Sequence, residues 1–366
     1  MQNGGELTTQ GALALDADKV DNGAGRIAGN RGVVIDVRQV DNRAGEIASQ
    51  GVATLNLTEQ LDNRGGKIVG RDGLRLSGTE LFNGNAGLLS SQRHIEVTLD
   101  GVLDNQGKGA LLSDGTLTVS AGRIHNQDAT LSSAGALRLS SQEAVDNRGG
   151  KLVTDSSLRL TSASLDNSRS GIISANAAAE IHTGVLNNSQ KGNLGSNDGL
   201  GLIATEVDNS QEGRITAKGM IDANIKGLDQ QGKGRLVSNA GIILDLNEGT
   251  LANGAQGLIA TPGTLLLRQL GMVDNSGGEI SSDRAFTLTT SALTNQGGRL
   301  RSGGVLTLRI AQALDNRHRP GSGQQPRRCS LRHRRPGYPG ACPGQPQWLH
   351  RQQGRRRYRR VPFGKR

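Results

Sequence analysis

The stretch LDNRGGKIVGRDGLRLSGTEL, residues 61–81, carries the pattern that decides the fold. Leu61 is apolar, Asp62-Asn63-Arg64 is polar, and Gly65-Gly66 signals a turn. Lys67-Ile68-Val69 is a short apolar stretch, and Arg71-Asp72-Gly73 is a second turn. Leu74-Arg75-Leu76-Ser77 alternates with period two, the mark of a half-buried strand. Leu81 then opens the next unit in the same way. Helical spacing does not persist in any window.

Outward from this unit, the polar dipeptide returns about every 21 residues. Its asparagine column reads Asn3, Asn22, Asn42, Asn63, Asn83, Asn105, Asn126, Asn147, Asn167, Asn188, Asn209, Gln230, Asn253, Asn275, Asn295 and Asn316. An aliphatic residue precedes each dipeptide from Val20 and Val40 through Leu61 and Val145 to Leu314. A second aliphatic column follows the glycine turn. It reads Ile27, Ile47, Ile68, Leu88, Leu111, Leu131, Leu152, Ile172, Leu194, Ile215, Leu236, Ile259, Ile280 and Leu300.

Each unit thus has an inward set that it cannot bury alone and that stacked neighbours would cover. Twenty-one residues suit a coil of two or three short strands, so the expected fold is all-β: a parallel β-helix, or solenoid, of about fifteen coils. At the usual strand spacing such a rod is about 70 Å long. Longer turns such as DNSRSGI (166–172) add a residue where a turn projecting outward tolerates one. The asparagines are read as turn residues that tolerate a left-handed backbone and whose amides can hydrogen-bond up and down a ladder. The aspartates beside them vary and are read as solvated.

Charge separates the chain in two. The formal net charge is +10, but residues 317–366 hold fifteen Lys or Arg and no acid. The repeat array, residues 1–316, is mildly acidic. The basic Pro/Arg-rich tail is expected to be disordered or, as the favoured reading, an out-of-frame continuation of the repeats. Pro343-Gly344-Gln345-Pro346 can be encoded so that a one-base shift gives Leu-Asp-Asn. The run Arg355-Arg356-Arg357-Tyr358-Arg359-Arg360 also suits a binder of nucleic acid or an anionic surface, although a nucleic-acid partner is not expected.

The chain starts in mid-unit without a signal peptide, and no apolar run is long enough for a transmembrane helix. These features point to a piece of a longer protein.

Chemistry finds little support. The array has three histidines, His94, His125 and His182, and no cysteine. No zinc spacing or phosphate loop occurs. The Asp column could attract calcium, but it is interrupted, and stacked like charges repel. No catalytic residue, metal or cofactor is expected. The residues singled out are the structural turn ladder Asn22, Asn42, Asn63, Asn105, Asn126, Asn147, Asn167, Asn188, Asn209, Asn253, Asn275 and Asn295.

The units LDNRGGKI (61–68), VDNRGGKL (145–152), VDNSGGEI (273–280) and LTNQGGRL (293–300) resemble the repeats of filamentous haemagglutinins. The same repeats occur in the large exoproteins of contact-dependent growth inhibition. The resemblance covers about residues 1–317. It implies a right-handed parallel β-helical filament, secreted to the bacterial cell surface through an outer-membrane two-partner secretion transporter. It implies an elongated adhesin stalk that meets a receptor on a host or neighbouring bacterial cell, or alternatively the stalk of a growth-inhibition toxin exoprotein without its toxin domain. It carries over no catalytic residue.

Overall fold

The computed structural model describes residues 5–317, which fall within one compact unit, Met1–Arg319. The expectations for the tail beyond Arg317 lie outside the described residues.

Every described pairing between strands is parallel and joins equivalent residues of successive coils. In the decisive unit the three strand segments are Lys67–Gly70, Gly73–Gly78 and Glu80–Phe82. The first pairs Ile68 with Ile47 of the coil before and with Leu89 of the coil after. The second sets Leu74 beside Ile95 and Leu76 beside Val97, and the third sets Leu81 beside Leu61. The first segments of all coils build one 15-stranded sheet. The second and third segments join a 24-stranded sheet, because in some coils they run together, as in Leu158–Asp166 and Ala179–Asn187. The protein is a parallel β-solenoid, and the described residues contain no helix.

Alternation explains the burial. Leu61, Ile68, Leu74 and Leu81 point inward and are fully buried, while Arg75 between two of them is exposed. A single apolar cluster runs from Leu13 to Leu293. Burying one such leucine contributes about 1.5–3 kcal/mol, so a coil that stacks its inward set on both sides is strongly held. The bore is narrow, and Phe286 is the sole aromatic side chain within the described core.

Two positions of the second aliphatic column are corrected. Leu88 and Ile172 face outward and are half-exposed, whereas Leu89 and Ile173 are fully buried in their place. The turns before them carry one extra residue, which shifts the inward phase by one. Since both residues in each pair are aliphatic, the pattern alone does not show the shift. Leu314, the last of the first column, is 53% exposed, because no described coil lies over it.

Candidate functional surface: the amide ladder and the turn edge

The asparagines form a continuous buried ladder. Asn22 donates its side-chain amide to the Oδ1 of Asn42 at 2.7 Å, Asn42 to Asn63 at 2.7 Å, and Asn63 to Asn83 at 2.7 Å. The chain of bonds continues through Asn105, Asn126, Asn147, Asn167 and Asn188 to Asn209. It then crosses Gln230 and runs through Asn253, Asn275 and Asn295 to Asn316. Its longest rungs flank the glutamine: 3.0 Å from Asn209 to Gln230 and 3.3 Å from Gln230 to Asn253. Most amides also donate to a strand carbonyl of the next coil, as Asn126 does to Lys151 at 3.1 Å. Most of these side chains are fully buried, so each polar atom needs its partner.

The left-handed reading of these asparagines is corrected, since none of the described ones has a positive φ. The left-handed residues lie two and three places later. A plain turn has one, such as Ala44, Gly65 or Gly149. A long turn has two in succession, such as Arg169 and Ser170, Gln190 and Lys191, or Gln211 and Glu212. The glycine that closes a plain turn faces the coil before: a Cβ on Gly66 would fall 2.0 Å from the Asn42 carbonyl oxygen. Ala129 stands at this glycine position in its coil, so one turn accommodates a methyl group.

The aspartates are also corrected: they are turn caps rather than free, solvated carboxylates. Asp62 accepts a hydrogen bond from the backbone N–H of Arg64 at 3.1 Å, and Asp104 from that of Gln106 at 3.1 Å. Asp166, Asp208 and Asp274 do the same for a serine two places on, each at 2.9 Å. This is the local side-chain bond that favours Asp and Asn at turns. Asn187, which replaces the acid in its coil, accepts from Ser189 in the same manner. Where the residue two places on is arginine, an ion pair is added, as between Asp41 and Arg43 at 2.6 Å. The Arg43 side chain beside Asp41 holds that carboxyl below its usual range. Burial pushes the Asp146 carboxyl up, but Arg148 and Gln127 outweigh it and hold it low.

A second small-residue column was missed in the sequence. Gly29, Ser49, Gly70, Ser91, Ser113, Ser133, Thr154, Ala175, Ser196, Ala217, Ser238, Thr261 and Ser282 are buried at the corner after the first strand segment. Several hydroxyls close that corner, as Ser113 does by donating to the Thr116 carbonyl at 2.9 Å. The signal that could have found them is their small size, seven or eight residues after each asparagine.

Five successive long turns, between Asn167 and Gly257, line a groove of about 670 Å³ on the turn edge. A non-glycine residue in left-handed conformation costs roughly 1–2 kcal/mol. Matching turn lengths offset this through bonds between coils: Ser170 N–H to the Gln190 carbonyl, Lys191 to Gln211 and Glu212 to Gly232, at 3.0, 3.0 and 2.9 Å. No group of three or more metal-ligating residues occurs among the described residues. No helix among them is long and apolar enough to cross a membrane.

The family model described as the haemagglutinin repeat matches residues 8–65, 54–107 and 97–149. The matches overlap and cover the array from residue 8 to residue 149, under half of the chain. That stretch consists of haemagglutinin repeats, the family to which the motifs pointed. The coils beyond it keep the same parallel register, beginning with Lys151–Thr154 on Thr130–Ser133. No curated protein and no solved structure matches the chain.

Proposed function

We propose that these haemagglutinin repeats are the stalk of a secreted filamentous adhesin, a rod that holds a contact surface away from the cell that makes it. The observation that carries this reading is the unbroken ladder from Asn22 to Asn316 beside an unbroken apolar core. Such a stack gains reach in proportion to its coils, because each coil contacts mainly its neighbours. Contacts with other molecules fall to the outward side chains of the walls and turns. On this reading the chain belongs at the bacterial surface. Its partners are the outer-membrane transporter of a two-partner secretion system and a receptor on a host or neighbouring bacterial cell.

The test is reach. The chain is displayed between an outer-membrane anchor and an epitope, and whole coils are removed in register, for example residues 127–147. Epitope height is expected to fall by about 5 Å per coil, the spacing of parallel strands. A height that does not change with coil number contradicts the stalk.

A further inference from the structure

One wall of the rod changes its charge pattern along its length. The outward residue that opens the first strand segment reads Glu6, Arg26, Glu46, Lys67 in the early coils, and opposite charges meet between neighbours. Arg26 lies 2.7 Å from Glu6 and 3.4 Å from Glu46, and Lys67 lies 3.6 Å from Glu46. Further along, the same column reads Ile172, Asn193, Arg214, Arg235, Leu258. Arg214 and Arg235 stack directly in register, a like-charge contact that disfavours the sheet.

Exposed cations surround this pair. Lys191 and Lys233 stand on the adjoining long turns, and Lys218 lies at the far corner. None of these five cations forms an ion pair with a described carboxylate, whereas Arg148, Arg159 and Arg299 each do. Glu212 is the one acid among the residues that line the turn groove, while Asp208 and Asp229 accept hydrogen bonds from their own turns' backbone N–H groups. Half-exposed aliphatic side chains flank the cations: Ile172 and Leu258 in the same column, and Val237 two residues after Arg235. No aromatic residue stands between Phe82 and Phe286, so the wall has no platform on which a sugar ring or a base could stack.

Unpaired cations interleaved with aliphatics on a sheet face suit an anionic lipid surface. The cations meet headgroup phosphates, and the aliphatics meet the boundary beneath them. We propose that the wall centred on Arg214 and Arg235 docks the rod on membranes that carry anionic headgroups. The contact belongs to the wall of the array and stands whether or not the array serves as a stalk.

The test uses the full chain with its Lys and Arg at 318–366 changed to Gln, so that the basic tail does not dominate. Vesicles of phosphatidylcholine and phosphatidylglycerol at a ratio of about 3:1 are compared with phosphatidylcholine alone, spanning the surface charge that attracts basic segments. Arg214→Glu with Arg235→Glu is expected to weaken binding to the anionic vesicles at least tenfold, since the loss of two cations at about 1 kcal/mol each already exceeds that factor. Arg138→Glu with Arg159→Glu, an in-register pair on another wall, is expected to change it little.

If charge reversal perturbs the circular dichroism spectrum, Arg214→Gln with Arg235→Gln replaces it, since that change relieves repulsion. Equal losses from both pairs overturn the proposal. So does equal binding to uncharged vesicles, or retention on heparin or DNA without retention on vesicles.

Discussion

Asn126 donates its side-chain amide to the Oδ1 of Asn147 at 2.7 Å, across 21 residues of sequence and one coil of the rod. Both side chains are fully buried, so the bond is made where water cannot replace it. Asn147 in turn donates to Asn167 at 2.7 Å and to the Ile172 carbonyl at 3.2 Å.

Replacing Asn147 with alanine leaves the Asn126 amide without its ladder acceptor and the Asn167 Oδ1 without its ladder donor. With each orphaned buried group costing about 1–3 kcal/mol, Asn147→Ala is expected to destabilise by roughly 2–4 kcal/mol in urea unfolding. Asn147→Asp is expected to cost more at neutral pH, because it buries a charge next to a carbonyl acceptor. A cost below about 0.5 kcal/mol for the alanine, the level of an ordinary surface change, would remove the ladder from the account.

Gln230 has the opposite outcome. Its two rungs are the longest of the ladder, at 3.0 and 3.3 Å. Gln230→Asn restores the side chain used at the other described ladder positions. It is expected to leave stability unchanged or raise it by up to about 1 kcal/mol, the net worth of one better hydrogen bond. The midpoint of urea unfolding measures this, and a clear loss would show that the glutamine fits its own coil better.

Two of the Asp caps contribute to the acid limit. Asp41 and Asp146 titrate below their usual range in the folded protein, Asp41 through Arg43 and Asp146 through Arg148 and Gln127 acting against burial. A depressed carboxyl contributes stability that is present above its unfolded pKa, about 3.9, and is lost as pH falls through the lower folded value. Stability is therefore expected to hold from neutral pH down to about 5 and to fall below about 4. Asp41→Asn with Asp146→Asn keeps both turn acceptors, as Asn187 shows. It is expected to shrink that acid loss. Thermal unfolding at stepped pH checks this, and an unchanged acid limb would place the loss elsewhere.

Turn length gives a fourth expectation. A glycine inserted after Gly149 converts a plain turn to the long form already used by the next coil at Arg169 and Ser170. The strands on either side keep their register, and the cost is expected to stay below about 1 kcal/mol, in line with the weak length dependence of loops. The same insertion after Leu76, inside a strand, flips the inward set outward and is expected to prevent folding of that coil. Limited proteolysis around residues 60–100 separates the two outcomes.

The columns of Leu61, Ile68, Leu74 and Leu81 are aliphatic in nearly every coil, and this made the solenoid legible in the sequence. Phase within a coil was less legible. Leu88 and Leu89, like Ile172 and Ile173, are interchangeable by composition, and only the extra residue in the preceding turn decides which one is buried. The Asp caps were hidden because their partners are backbone N–H groups, which leave no trace in side-chain type. The buried corner of Ser113 and its equivalents was hidden because small residues also suit an exposed turn. The unpaired wall at Arg214 and Arg235 needed the register, since 21 residues separate two arginines that stack as neighbours.

Coils stacked through a buried amide ladder shield their side-chain amides from water, and hydrogen exchange reads that shielding at single residues. Asn147 is fully buried in the ladder, whereas Asn197 is exposed outside it. The Nδ2 protons of Asn147 are expected to persist orders of magnitude longer than those of Asn197, because they open only when neighbouring coils separate. Exchange of Asn147 at the rate of Asn197 would mean that the ladder amides are open to water and do not hold the coils together.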